Sequence, residues 1–450
     1  MKDLMANYSI SDNQLKRLPD RRVFFAQSAV FLLLLINAFR ANTVPDIIIL
    51  TMAVMMPFFL SPVEIAAYVA GFAMMGTGIQ IAYVALACFV TVMLKSSNRI
   101  KSITVLSISV FLCYELMHMM MAPSDDMIEF LRYAAVYALL FSALFMDYNS
   151  EDKLRVVNSF IFGTFFSVLH IFIEAILIFN GNLLRFIDGS FRFGYAEQLG
   201  VDLTMSADPN SVGQGCSIII AVSLMLIILG YKKKRYFAAI LVALLVGTLT
   251  ISKTFLLSLI VITVVTILLA GSWNSAKAWR MRILLFALIA VGVFAVLKLY
   301  PSYLDNILSR VDESDITTGR VANAGMYLDY LSQDVLAMLF GVGMQNVGEK
   351  IGFTGSPHAM FVEALICWGI VGTFAMLGLL VYAIHHHTRN GKILPINWVP
   401  LIVYLVITQT TQLFRLRDRV LTLIVIIVTV GISQKGDKKT DDQEKGVVDR

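Results

Sequence analysis

Apolar runs of roughly 15 to 25 residues, each long enough to cross a hydrocarbon core of about 30 Å as a helix, recur from end to end of the chain. Windows of about 19 residues place about fourteen spans. They cover 23–39, 44–60, two short spans within 63–94 folded about Gly76-Thr77-Gly78, 102–121, 127–146, 156–179, 211–230, 236–251, 254–270, 283–299, 359–384, 398–414 and 420–432. The predicted fold class is therefore all-α, a polytopic membrane helical bundle with a large extracytoplasmic loop containing short helices. Composition agrees: 58% hydrophobic residues, 15% charged and a mean hydropathy of +0.76 leave too little polar surface for a soluble globule. Residues 1–22 are polar and basic, and no small-residue cleavage site follows the first apolar segment, which predicts an uncleaved first span.

Charge sets the expected orientation. The N-terminus, 95–101, 153–155, 232–235, 277–282, 389–392 and the C-terminal tail are basic and fall on one side, the cytoplasm by the positive-inside rule. Both termini are then cytoplasmic, and 180–210 and 301–357 form the two long outer loops. The tail, 434–450, mixes both signs with few apolar residues and is expected to be disordered. Basic residues spread among short loops give no sign of a nucleic-acid partner. Cys88, Cys113, Cys216 and Cys367 lie inside apolar runs without paired spacing and read as packing residues. A minority of the 36 Lys and Arg fall on the outer side, among them Arg192, Lys253, Arg320 and Arg415. Cations there run against the orientation rule and ask for a reason.

The polar stretch 301–357 is the longest interruption, and it predicts a lid over a charged cavity at one membrane surface. Val321, Ala324, Leu328, Leu331 and Val335 recur at helical spacing, so a helix is expected from near Gly319 with Thr317 or Thr318 as its cap. Arg320 in its first turn opposes the helix dipole by about 0.3 to 1 kcal/mol unless an anion binds at the same point. Backbone N–H groups and the guanidinium would together hold a phosphate; a solvated Arg320, or one paired with Asp312 or Asp315, is the other reading. His358 stands where the loop returns to the membrane, ahead of a helix carrying Glu363. A neutral imidazole there can take a proton from a hydroxyl, or can simply cap the helix or sit at the interface.

Other motifs share that face. Asp208-Pro209 is a helix start, and Asn210 follows it. Arg192 lies between two phenylalanines, a setting for a lipid phosphate or for aromatic anchoring. In ISKT (251–254), Ser252 can cap the next helix and Lys253 can snorkel. Gly341, Gly343 and Gly348 match no phosphate-binding loop and read as turns. In RLRDR, either Arg415, Arg417 and Arg419 meet anionic groups outside or the last hairpin lies the other way round. His385 to His387 fan outward on a helix, cannot close round one metal, and read as a solvated helix end.

In order, FRFGY, DPNSVG, ISKT, TTGR, FGVG and SPHAMFVEALICWGIVG, over 192–372, resemble the O-antigen polymerase and O-antigen ligase superfamily of bacterial envelope glycan assembly. The resemblance implies a GT-C type membrane glycosyltransferase that inverts at the anomeric carbon, uses a polyprenyl-diphosphate-linked donor and needs no cofactor, neither nucleotide sugar nor metal. It implies Arg192, Lys253 and Arg320 on the diphosphate and His358, with Arg192 and Arg320, as catalytic; Asp208, Asn210, Glu363 and Arg415 are secondary candidates. Family members often carry Arg where Lys253 stands and Asn where Ala359 stands. The Lys keeps charge but loses bidentate geometry.

The first functional expectation is a polymerase of polyprenyl-linked repeat units (O-antigen, capsule or exopolysaccharide) in the bacterial cytoplasmic (inner) membrane. A ligase to lipid A core is the near alternative, with the same donor and a different acceptor. A flippase for the same lipid is third: Glu64, Glu115, His118, His170 and Glu174 lie within or beside spans, but the two halves show no repeat. Expected partners are the lipid-linked donor and acceptor, membrane lipids, a chain-length regulator and a flippase of the same pathway.

Overall fold

A computed structural model describes residues 19–39, 43–74, 80–95, 101–122, 125–182, 193–194, 208–231, 233–270, 319–353, 355, 357–389 and 391–434, with isolated positions between 279 and 287. Every regular element among them is helical. In chain order these are α1 (Pro19–Phe39), α2 (Asp46–Met55), α3 (Pro62–Ala70), α4 (Ile81–Lys95), α5 (Ser102–Met121), α6 (Met127–Leu144) and α7 (Ser150–Ile178). Then come α8 (Pro209–Ile228), α9 (Lys233–Leu249), α10 (Lys253–Leu269), α11 (Arg320–Gln333), α12 (Val335–Phe340) and α13 (Val347–Ile351). The last four are α14 (Met360–Thr388), α15 (Val399–Ile407), α16 (Arg417–Val420) and α17 (Thr422–Val430).

Among the described residues six helices, α1, α5, α6, α7, α8 and α14, are long and apolar enough to cross a membrane. Shorter apolar stretches cover Asp46–Phe59, Ile81–Lys95, Lys253–Leu269 and Pro395–Thr410. Large apolar side chains face outward, Leu106 and Met120 on α5 and Leu245 on α9 among them, as lipid-facing positions require. The expected span at 283–299, the N-terminus before residue 19 and the tail after 434 lie largely or wholly outside the described residues.

Where the helices begin follows from capping. Asn149 and Asp152 form a reciprocal capping box that starts α7 six residues ahead of the expected 156. Ser61 and Glu64 do the same for α3, which occupies the buried Glu64 carboxylate. Helix α11 starts where the pattern predicts, with Gly319 at φ +76° as its cap and no side-chain cap hydrogen bond from that residue; Thr317 and Thr318 lie outside the described residues.

At the core stands α17, whose nine residues are all buried and which packs against α3, α6, α7, α14 and α15. A helix apolar on every face belongs in such a place. Around it, one end of the bundle is closed by basic loops. Lys101 pairs with Asp147 at 2.8 Å, which also meets His386 at 3.1 Å; Lys153 donates to the Gly431 carbonyl at 2.7 Å. The reading of His385 to His387 as a solvated helix end is corrected here. Only His385 is exposed, while His386 and His387 are buried and His387 Nε2 lies 2.9 Å from the Leu144 carbonyl oxygen.

A second correction concerns α14, read as one continuous apolar run. It breaks at Gly369, at φ +60° and ψ −170°. The carbonyls freed by the break are taken up by the FGVG segment: Val342 and Gly343 N–H donate to the Ile366 and Cys367 carbonyls at 2.8 Å each, and the Tyr114 hydroxyl donates to the Trp368 carbonyl at 2.7 Å. Only glycines fit there. A Cβ on Gly341 would lie 2.4 Å from the Cys367 carbonyl carbon, and one on Gly369 2.3 Å from that of Leu339. Gly341 and Gly343 are turns as expected, with positive φ, whereas Gly348 sits inside α13.

Candidate functional site

At the end of the bundle away from the basic loops, the N-terminal ends of α8, α10 and α11 and the segment leading into α14 meet. Asp208 caps α8: one oxygen accepts from Asn210 N–H and from the Asn210 side-chain amide, both at 3.2 Å, and the other accepts from the Ser211 hydroxyl at 3.2 Å. Pro209 at the first helical position, which needs no donor there, fixes the start. Asn210 Oδ1 accepts from the Ser252 hydroxyl at 2.9 Å, which joins this cap to the ISKT turn. Ser252 in turn accepts from Phe255 N–H at 3.4 Å as the cap of α10. Half-buried Lys253 stands one residue from that contact. Gly213 permits the close approach: a Cβ there would come within 3.2 Å of Phe255 Cβ.

Arg320 opens α11 and is half-buried. Burial draws its guanidinium below the usual arginine range, and the Asp208 carboxylate opposes that. His358 feels the same groups. Burial lowers its imidazole below the ordinary value, Arg320 and Arg419 lower it further, and Asp208 acts in the opposite sense. His358 is therefore neutral at pH 7 and has a lone pair with which to accept a proton. Its backbone holds φ +44°, and Ile251, in the neighbouring motif, holds φ +49°, uncommon for any side-chain-bearing residue and more so for a β-branched one. Such strain persists only where the surroundings impose it, and it gathers at functional sites.

Arg419 completes the group. Its guanidinium donates to the Ser211 hydroxyl and lies 3.7 Å from Asp208 Oδ2. Sequence reasoning singled out Arg415 from RLRDR, but Arg419 is the arginine that reaches Asp208. Arg415 lies with Tyr133, whose hydroxyl donates to its carbonyl at 3.2 Å, and acts on the Tyr327 hydroxyl of α11. Glu363 explains the division. Its buried carboxylate accepts from Leu413, Phe414 and Arg415 N–H at 2.7, 3.0 and 3.0 Å, so it fixes the backbone from which the arginines project. That makes Glu363 a positioning residue.

Of the residues expected at the site, Asp208, Asn210, Arg320 and His358 come together and Lys253 stands beside them. Arg192 lies outside the described residues; its neighbour Phe193 is buried and donates to the Leu249 carbonyl at 3.0 Å, close in the chain to the ISKT turn. Of the polar stretch 301–357, α11 and α12 pack on α14, and the Tyr327 hydroxyl donates to the Gly355 carbonyl. Helix N-termini carry partial positive charge, so α8, α10 and α11 add their dipoles to two guanidiniums around a single carboxylate and a neutral imidazole. Such a place can hold a polyanion next to a proton acceptor. Comparison with known families and with curated proteins finds no match to this chain.

Proposed function

We propose that the chain is a membrane glycosyltransferase that moves a glycan from a polyprenyl diphosphate to a sugar hydroxyl, as a polymerase of lipid-linked repeat units. The observation that carries this reading is the meeting of Arg320, Arg419, Asp208 and neutral His358, drawn from segments far apart in the chain, at the end of an apolar bundle opposite its basic loops. A diphosphate is a good leaving group only where its developing charge is met, and preorganised guanidiniums in a partly dry setting meet it without solvent reorganisation. In the proposed step the acceptor oxygen attacks the anomeric carbon from the face opposite the diphosphate. The anomeric C–O bond breaks, its electron pair leaves with the diphosphate, and the acceptor proton passes to His358. Arg320 and Arg419 hold the diphosphate, Lys253 adds charge beside them, the resemblance assigns Arg192 the same role, and Asp208 orients Arg419.

Deletion of the gene followed by gel analysis of surface polysaccharide tests this. A single repeat on the acceptor supports the polymerase. Unattached polymer on the carrier lipid would mean a ligase, and loss of all export would mean a flippase. Arg320→Ala and His358→Ala should reproduce the deletion with the protein still in the membrane; normal chains from either would remove that residue from the site.

A further inference from the structure

The RLRDR segment sends its arginines two ways. Arg419 goes to Asp208, whereas Arg417 turns to the first turn of α6, where its guanidinium meets one oxygen of Glu129 while Arg132 takes the other. The Arg417 guanidinium also stacks over the Tyr133 ring, 4.8 Å from its centroid, and the Tyr133 hydroxyl holds the Arg415 carbonyl. Arg132 and Arg417 thus share one carboxylate, and the Arg415 charge lies beside the same Tyr133 ring. Both oxygens of Glu129 are engaged, and the buried Nε of each of Arg132, Arg415 and Arg417 has no hydrogen-bond partner. Among neighbouring carboxylates, Glu363 is committed to three backbone N–H groups, Asp126 to capping α6, and Asp125 to Lys350 at 2.7 Å. Arg132 and Arg417 keep about a quarter of their side-chain surface exposed, 25% and 23%, so the cluster is reachable from outside.

Uncompensated guanidiniums with partly buried donors and an aromatic floor are the chemistry that recognises phosphate oxygens. We propose that Arg132, Arg415 and Arg417 form a second lipid-phosphate site, beside the Arg320–His358 group and separated from it by the RLRDR backbone, which takes the diphosphate of the acceptor lipid. Its assignment to an acceptor rests on the glycosyltransferase reading; the anion site itself does not. A polymerase joins two lipid-linked glycans and must hold two diphosphates at once, on the same membrane face. One loop with arginines projecting to either side would place them as neighbours.

The test is binding stoichiometry of radiolabelled polyprenyl diphosphate to the full-length protein in phosphatidylcholine nanodiscs. The wild type is expected to bind two equivalents. Arg415→Gln/Arg417→Gln should keep one, and Arg320→Gln should keep the other. Glu129→Gln, which removes the carboxylate that Arg132 and Arg417 share, should tighten the second equivalent by about three- to tenfold, because a negative charge near the anion is gone. A merely structural role for Glu129 would not produce tighter binding. One equivalent in the wild type, two in the double variant, or no tightening in Glu129→Gln would overturn the proposal. So would displacement of the second equivalent by phosphatidylglycerol as readily as by unlabelled polyprenyl diphosphate, since the site would then belong to a bilayer headgroup. Two equivalents in a protein that transfers no sugar would leave the anion site standing and defeat the glycosyltransferase reading.

Discussion

Two polar regions interrupt the apolar bundle, and they are built on opposite principles. At the Gly369 break, the exposed carbonyls of α14 find donors in Val342, Gly343 and Tyr114, Trp368 donates to buried Glu115 at 2.8 Å, and Lys350 is tied to Asp125 and to the Val342 carbonyl, each at 2.7 Å. Its glycines are required by close approach, and Lys350 and Asp125 pair within the protein. At the Asp208–His358 group the backbone is strained at His358, Arg419 lies 3.7 Å from the Asp208 carboxylate whose charge Arg320 also feels, and the imidazole is held neutral. Both carry motif-like sequence, FGVG in one and TTGR and SPH in the other. The contrast shows that a motif in a membrane chain can serve a helix break as readily as a ligand. Backbone carbonyls met by donors mark the first use, and strain with cations in excess of carboxylate marks the second.

The largest effect should come from removing the supports of the backbone, Glu363 under the arginine loop and Gly369 at the helix break. Glu363→Ala leaves three buried backbone N–H groups without an acceptor, at about 1–3 kcal/mol for each unsatisfied group. The protein should vanish from the membrane fraction or lose most of its thermal stability; a stable Glu363→Ala would refute the tether. Gly369→Val should act the same way, since its Cβ meets the Leu339 backbone.

Breaking the Asp208–His358 group should spare the fold. His358→Ala should lower the rate of glycan transfer about 10²- to 10⁴-fold, the usual worth of a positioned base, at unchanged protein level. Arg320→Ala should lower it about 10²-fold or more by leaving leaving-group charge unmet. A subtler effect sharpens the distinction. Because burial and the neighbouring cations hold His358 below its ordinary value of 6.5, transfer should be flat above pH 7 and fall as acid protonates the imidazole. Arg320→Gln removes one of those cations, so the acid limb of its residual activity should move to higher pH. An unshifted limb would separate the two residues.

Much of the architecture was legible from hydrophobic runs. The 102–121 span matches α5 end to end, and the predicted starts at Asp208-Pro209 and Ser252 are the caps observed. What stayed hidden is non-local. Nothing in the run 359–384 announces a break, because Gly369 is one of three glycines there, with Gly372 and Gly378, and the partner that fills the gap, FGVG, arrives from elsewhere in the chain. The burial of His386 and His387 depends on α6 and the 144–147 turn packing against them. The choice of Arg419 over Arg415 for the Asp208 group depends on Glu363 fixing the loop backbone, which alternation of residue types in RLRDR cannot reveal. In the candidate site the residue types were readable, and their company was not.

The central claim is that segments near residues 208, 320, 358 and 419 surround one diphosphate. Photolabelling in membranes tests it most directly, with a polyprenyl diphosphate bearing its reactive group beside the phosphates and adducts mapped by peptide mass. Adducts on the peptides containing Asp208 to Ser211, Arg320 and His358, lost together in Arg320→Ala, are the predicted result. Labelling confined to the basic end, around Lys101, Lys153 or Arg389, would contradict it.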